Sequence, residues 1–168
     1  LLIATLPAVG IDIAFSDVID QYLRGIGVIA TTTLLFGLLL GVSYSYRAAG
    51  ADEQPISRLD HALVIGLAQA LALIPGTSRS GVTITASLFL GYNLATAARF
   101  SFLMSIPVIA GALLLMLVKE FELFFSSANL AVTVLAMLVA AVSAYATIAF
   151  FVGLVTRVGM MPFVIYRV

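Results

Sequence analysis

Three stretches of this chain are apolar for long enough to cross a lipid bilayer as helices, and that length constrains the fold more than any motif does. A spanning helix takes about 20 apolar residues. Residues 26–46 (IGVIATTTLLFGLLLGVSYSY), 98–118 (ARFSFLMSIPVIAGALLLMLV) and 130–154 (LAVTVLAMLVAAVSAYATIAFFVGL) meet that requirement. Arg47 ends the first, Lys119 and Glu120 end the second, and Arg157 lies beyond the third. Composition agrees, because 62% of the 168 residues are hydrophobic and only 10% are charged, with a mean hydropathy of +1.19. Soluble domains carry charge on about a quarter of their residues. The expected fold class is therefore an all-α polytopic membrane protein.

Several functions are excluded at once. The formal net charge is zero, which argues against a nucleic-acid partner. The chain has no cysteine, so disulfides, thiol catalysis and cysteine metal sites are ruled out. His61 is the single histidine, so no metal site of several imidazoles can form within it.

The ends read as cut. Leu1 opens inside the apolar run LLIATLPAVGIDIAF, taken over residues 1–15 as the tail of a truncated span, and MMPFVIYRV reads as the start of another. No charged leader precedes the first run, so it does not read as a signal peptide. The expectation is one membrane domain over residues 1–168, an internal fragment of a larger protein.

Between the first two spans lies the polar loop RAAGADEQPISRLD, with Asp60 placed to N-cap a helix over about residues 61–74. Fourteen residues rise only about 21 Å, too little for a comfortable crossing. Pro75 and Gly76 then break the helix. A second short helix is expected from about Ser80 to Leu90, followed by a turn at Gly91 and Asn93. Two half-length helices meeting at a polar break predict a re-entrant hairpin over 61–90, which is tolerated only against protein or a water-filled cavity. Such a hairpin puts Arg47, Arg58, Arg99 and Arg157 on one face. Arg24 and Lys119 then fall on the other face, with Asp17, Asp20, Glu120 and Glu122. The arginine-rich face is expected to be cytoplasmic.

The break itself reads PGTSRSG, residues 75–81. An arginine deep in a bilayer costs several kcal/mol unless it is paired or wet. The carboxylates (Asp12, Asp17, Asp20, Asp52, Glu53, Asp60, Glu120 and Glu122) all fall in predicted loops or near a terminus, so none on a span is expected to neutralise Arg79. Its partner is then an anionic ligand or a group outside this chain. A guanidinium suits phosphate, since its planar fork makes bidentate hydrogen bonds. Thr77, Ser78, Ser80 and Thr83 add hydroxyls, and the amides of Ser80, Gly81 and Val82 open a helix whose N-terminus favours an anion. Gly76 and Gly81 would let backbone approach a ligand closely. Together these predict a phosphate cradle, against the alternative of a structural arginine ion-paired to another helix.

Other polar and small residues have plainer readings. His61 is expected at the membrane surface, away from the tip. Gln69 either lines the cavity or hydrogen-bonds a neighbouring helix, and Ser101 and Ser105 read as packing. Gly37 with Gly41, and Ala136, Ala140 and Ala144, read as close helix contacts. Tyr44, Tyr46 and Phe124 suit interfacial belts.

The stretch ALIPGTSRSGVTITASLFLG, followed by AARFSFLMSIPVIAGA, resembles the undecaprenyl-diphosphate phosphatase family, also called the bacitracin-resistance protein. LLIATLPA and PFVIYR are similar to family segments too, so the likeness runs along essentially the whole chain. The resemblance implies an integral enzyme of the bacterial plasma membrane that hydrolyses undecaprenyl diphosphate to the monophosphate. That reaction recycles the lipid carrier for peptidoglycan synthesis and lowers sensitivity to bacitracin, which sequesters the diphosphate.

It also implies an inverted repeat with two re-entrant hairpins, of which this chain would be the second, C-terminal part. The family's first-half motif, E-G-x-x-E-F-L-P-V-S-S-T-G-H, has no counterpart here, and His61 is no substitute for its histidine. Carried onto this chain, the resemblance implies Arg79 and Ser78 as catalytic residues. Arg79 would hold the diphosphate, and Ser78 would donate a hydrogen bond to it rather than act as nucleophile. Gly76, Thr77, Ser80 and Gly81 would form the substrate-binding cradle. A divalent cation, Mg2+ or Ca2+, is implied, with its ligands expected outside this chain. The implied partners are a polyprenyl diphosphate and membrane lipids, and a second copy in a homodimer is the remaining candidate. The 168 residues alone are expected to be inactive. Competing classes are a lipid-phosphate or anion transporter, whose broken helices also bind anions at midplane, and a non-catalytic prenyl-diphosphate binder.

Overall fold

The computed structural model describes residues 1–46, 54–119 and 130–168. Eight α-helices occur among the described residues. α1 covers Leu2–Tyr22, α2 Ile26–Tyr46, α3 Leu59–Ala70 and α4 Arg79–Phe89. α5 covers Leu94–Leu103, α6 Ser105–Lys119, α7 Leu130–Val158 and α8 Met161–Arg167. A 3-10 turn, Leu71–Leu73, prolongs α3. The expected roles of Arg47, Asp52, Glu53, Glu120, Glu122 and Phe124 lie outside the described residues, as do the side chains of Asp17, Asp20 and Lys119.

Three described segments are long and apolar enough to cross a membrane: Ile26–Tyr46, Leu94–Val118 and Ala131–Val158. They match the three expected stretches, with the second starting earlier and the third ending later. Little of their surface is covered by the rest of the chain, and residues 134–150 of α7 are exposed throughout. Apolar side chains facing outward along whole helices suit a lipid solvent.

The second span is two helices. Pro107 has no N–H to give the Leu103 carbonyl, and its ring crowds that oxygen. α5 accordingly stops at Leu103 and α6 restarts at Ser105. Likewise, the first run is longer than residues 1–15, because α1 continues to Tyr22.

α1 is also well packed. Ala62, Gly66 and Ala70 recur every fourth residue along α3 and are buried, opening a shallow groove into which α1 lays Ala4 and Ala8. A Cβ at Gly66 would lie 2.8 Å from the Ala4 Cα and would collide with the Ala4 carbonyl. Small residues at this spacing allow such close approach. Asp60 does not cap α3. The helix starts one residue earlier, at Leu59, and Asp60 sits in its first turn, where the Arg58 fork binds it at 2.6 and 3.1 Å. Those exposed hydrogen bonds, outside the three long spans, hold its carboxyl down to about 2.

Contacts with α2 give the hairpin its direction. Thr32 and Thr33, near the start of α2, touch the break at Pro75 and Gly76. Further along, Leu40 shares a buried cluster with Ile84 and Leu88 of α4. Tyr44, near the end of α2, borders one cavity with Asn93 and Leu94, just beyond α4, and with Arg157 of α7. The tip therefore lies at the level of Thr32, about 9 Å along α2 from its first residue at 1.5 Å per residue. α4 then returns toward the far end of α2. α8 runs back along the same helix: a Cβ at Gly41 would meet Val164 at 3.1 Å, and one at Gly37 would meet the Arg167 Cβ at 3.2 Å. Gly37 and Gly41 thus form the close helix contact that their spacing predicts. Ala136, Ala140 and Ala144 are all exposed.

Candidate functional site

The break is shaped by its own residues before any ligand is considered. Ile74 takes an extended conformation before Pro75, as the residue preceding a proline must. Gly76 has φ +88°, where a side chain would be strained. It is also crowded, because a Cβ there would collide with the Ile29 carbonyl and the Thr32 hydroxyl. Thr32 Oγ1 donates to the Pro75 carbonyl at 2.7 Å, and Thr33 Oγ1 donates to the Gly76 carbonyl at 3.2 Å. The glycine makes room for α2, where the sequence reading gives that room to a ligand. The hydroxyl run Thr31–Thr33, inside an otherwise apolar span, was the signal for this contact.

The hydroxyls divide into two groups. Ser78 is the N-cap of α4, and its Oγ accepts from the Gly81 amide at 3.2 Å and lies 3.3 Å from the Ser80 Oγ. The Val82 amide donates to the Ser78 carbonyl at 2.9 Å. Two of the three amides expected to face an anion are therefore used within the turn, which leaves Ser80 as the amide of the three with no partner among the described residues. Thr77 Oγ1 is buried with no partner among the described residues. Thr83 belongs elsewhere. It is 1% exposed, donates back to the Arg79 carbonyl at 2.9 Å and shares a 2.7 Å hydrogen bond with Ser101 of α5. That pair is a tie in the core and not part of the cradle.

Arg79 is half-buried, and no hydrogen bond or ion pair holds its guanidinium among the described residues. It borders a cavity of about 140 Å³ with Gln69, Asp12 and the apolar side chains of Ala8, Leu73 and Val108. Gln69 thus lines the cavity, and both ends of its buried amide lack a partner among the described residues. The Asp12 position corrects the sequence reading. It lies within helix α1, exposed, and borders the Arg79 cavity, because the first apolar run is a full, packed helix.

The largest omission from the sequence reading is Arg167, at the end of α8. Its Nη2 donates to the Gly76 carbonyl at 2.8 Å, and its Nη1 is buried without a partner among the described residues. A Cβ on Gly81 would lie 2.9 Å from that Nη1, so Gly81 makes room for a second arginine on the α2 side of the break. PFVIYR carries the residue in plain view, but nothing local ties it to a segment so distant in sequence. His61 is remote from this cluster, as expected, with its Nδ1 2.9 Å from the Tyr92 hydroxyl. No group of three His, Cys, Asp or Glu side chains comes together among the described residues, so the residues present do not fit the divalent cation that the resemblance implies.

Long outward-facing apolar helices around a half-buried, arginine-bearing helix break define a multi-pass membrane protein. The chain belongs to the family described as bacitracin resistance protein BacA, whose model matches residues 1–168. It is 52% identical over 98% of its length to an undecaprenyl-diphosphatase of Alcanivorax borkumensis. It is 50% identical over 99% of its length to one of Teredinibacter turnerae, and 45% identical over 99% to one of Saccharophagus degradans. The chain spans 62% of the length of each of these relatives.

Proposed function

We propose that this chain carries the phosphate-holding part of a membrane enzyme that hydrolyses undecaprenyl diphosphate to undecaprenyl phosphate and inorganic phosphate. The observation that carries this reading is the unpaired, half-buried Arg79 in a helix break packed among apolar helices. The names of the relatives support the substrate. We read the chain as the C-terminal part of the whole protein and the α3–α4 pair as re-entrant, entering the bacterial plasma membrane from its cytoplasmic face. The product would return the lipid carrier to peptidoglycan synthesis, and depletion of the diphosphate would leave bacitracin less to bind.

The chemistry is phosphoanhydride hydrolysis. Water attacks the terminal phosphorus, the bond from that phosphorus to the bridging oxygen breaks, and the lipid monophosphate leaves with the electron pair. Arg79, with Arg167 on the α2 side of the break, neutralises charge as it builds on the oxygens. The Ser78 Oγ accepts from Gly81, which leaves its proton to donate to phosphate. Ser80 and Thr77 offer further hydroxyls to the same group, with Gly76 and Gly81 shaping the turn. Ser78 has no base beside it among the described residues, so it is a hydrogen-bond donor and not a nucleophile.

The test uses the full-length protein in sealed vesicles loaded with undecaprenyl diphosphate. Hydrolysis releases inorganic phosphate in an Arg79-dependent manner. Intact diphosphate appearing on the opposite side would indicate a transporter instead, and saturable association without release would indicate a binder.

A further inference from the structure

The cavity beside Arg79 holds a charge that the reaction does not use. Asp12 is the only ionisable side chain in the apolar run Leu2–Phe15, and it borders the same cavity of about 140 Å³ as Arg79. No ion pair joins the two side chains, so they face the cavity without touching. The same cavity is lined by Gln69, which is 3% exposed and has neither amide atom partnered among the described residues. An amide buried without partners is costly unless water or a ligand satisfies it. A cavity of this volume holds several waters. Its polar edge then carries one cation, one anion, and an amide able to accept from the first and donate to the second.

Accordingly, we propose that Asp12 is the counter-charge of Arg79 in the empty site, and that it competes with phosphate and so sets how tightly the site holds anions. The inference rests on the reading of Arg79 as the diphosphate ligand. A guanidinium among apolar helices is stabilised by any negative field close by. Asp12, exposed on α1 and bordering the same cavity, supplies that field without an ion pair to the guanidinium. An arriving phosphate takes over the guanidinium and meets repulsion from the carboxylate across the cavity. After hydrolysis the same repulsion helps the anionic product leave, and Arg79 regains its resting partner. Asp12 is thus a specificity residue. It touches neither the reacting atoms nor the scissile bond.

The experiment measures binding of inorganic phosphate to the full-length protein in detergent by titration calorimetry, alongside its inhibition constant against hydrolysis. Asp12→Asn removes the charge at constant shape. It is expected to bind phosphate about tenfold more tightly or better, the effect of one unit charge within about 12 Å at an effective dielectric of about 20. Asp12→Ser should tighten binding similarly, whereas Asp12→Glu should stay near wild type. In an Arg79→Ala background, Asp12→Asn should not restore wild-type affinity, since the guanidinium that holds the anion is gone. Damage to the fold would not raise affinity, so tightening in both neutral variants separates this role from a structural one. Unchanged or weaker binding in Asp12→Asn and Asp12→Ser, with Arg79→Ala still impaired, overturns the inference alone. Phosphate affinity that survives Arg79→Ala overturns the reading of Arg79 beneath it.

Discussion

Arg167 Nη2 donates a 2.8 Å hydrogen bond to the Gly76 carbonyl, across 91 residues of sequence. The bond fixes the last described helix against the turn between α3 and α4, and it leaves the buried Nη1 with an unused donor beside Gly81. A guanidinium held by one nitrogen and open at the other has a geometry suited to an oxyanion.

Replacing Arg167 with alanine removes both the anchor and the open donor. A charge-assisted hydrogen bond contributes about 1.5–3 kcal/mol, so kcat/KM for phosphate release by the full-length protein should fall by about 10- to 100-fold. Arg167→Lys should recover only part of this, since an ammonium can satisfy Gly76 but does not reproduce the second arm of the fork. Steady-state phosphate release checks both variants.

Arg79→Lys keeps the charge at the α4 N-terminus and loses the bidentate geometry. Turnover should drop by about tenfold or more, the loss of roughly one charge-assisted bond. Wild-type turnover in Arg79→Lys would remove the phosphate-holding role from this residue.

Gly76 and Gly91 offer an internal comparison. Both have positive φ, at +88° and +89°, but a Cβ at Gly91 meets nothing within 4 Å, whereas one at Gly76 collides with α2. Gly91→Ala should cost only the backbone penalty, about 1–2 kcal/mol. Gly76→Ala should cost visibly more and should reduce activity as well. Thermal unfolding in one detergent, paired with phosphate release, separates the two.

Thr83 and Ser101 share a buried 2.7 Å hydrogen bond between α4 and α5. Thr83→Val leaves the Ser101 hydroxyl stranded, and Ser101→Ala takes from Thr83 its hydrogen bond to α5. Each single change should cost about 1–3 kcal/mol. The double variant should cost less than the sum, because no orphaned group then remains. A strictly additive cycle would show that the two hydroxyls do not interact.

The 168-residue chain on its own should release no phosphate from farnesyl diphosphate above the level of its Arg79→Ala variant. It presents arginines and hydroxyls, but no metal-ligand group among the described residues and no base beside Ser78. Phosphate release well above that background by the purified chain would contradict the division of labour proposed here.

Much of this architecture was legible because its causes are local. Spans 26–46 and 130–154 follow from apolar length, and the break follows from Pro75 and Gly76, whose backbone limits act within a residue or two. The N-caps were harder. Asp60 looked the part, yet α3 begins one residue before it, while Ser78 and Asn93 cap α4 and α5. Capping preference ranks residue types but does not choose between adjacent candidates when packing sets the helix start. The Gly37–Gly41 spacing told of a close helix contact without naming the partner. Ala136, Ala140 and Ala144 repeat at the same spacing and are all exposed in this chain.

By itself, then, the sequence determined a membrane-spanning α-helical chain interrupted by an arginine-bearing break, since apolar length and proline–glycine chemistry are properties of consecutive residues. Only the tertiary structure decided what surrounds that break: Thr32 and Thr33 beneath it, Asp12 and Gln69 across the cavity, and Arg167 beside Gly81. Those neighbours come from α1, α2, α3 and α8, and helix packing alone brings them together. Packing depends on the shapes of whole faces, such as the groove of Ala62, Gly66 and Ala70, and so leaves no mark in the order of residues around Arg79.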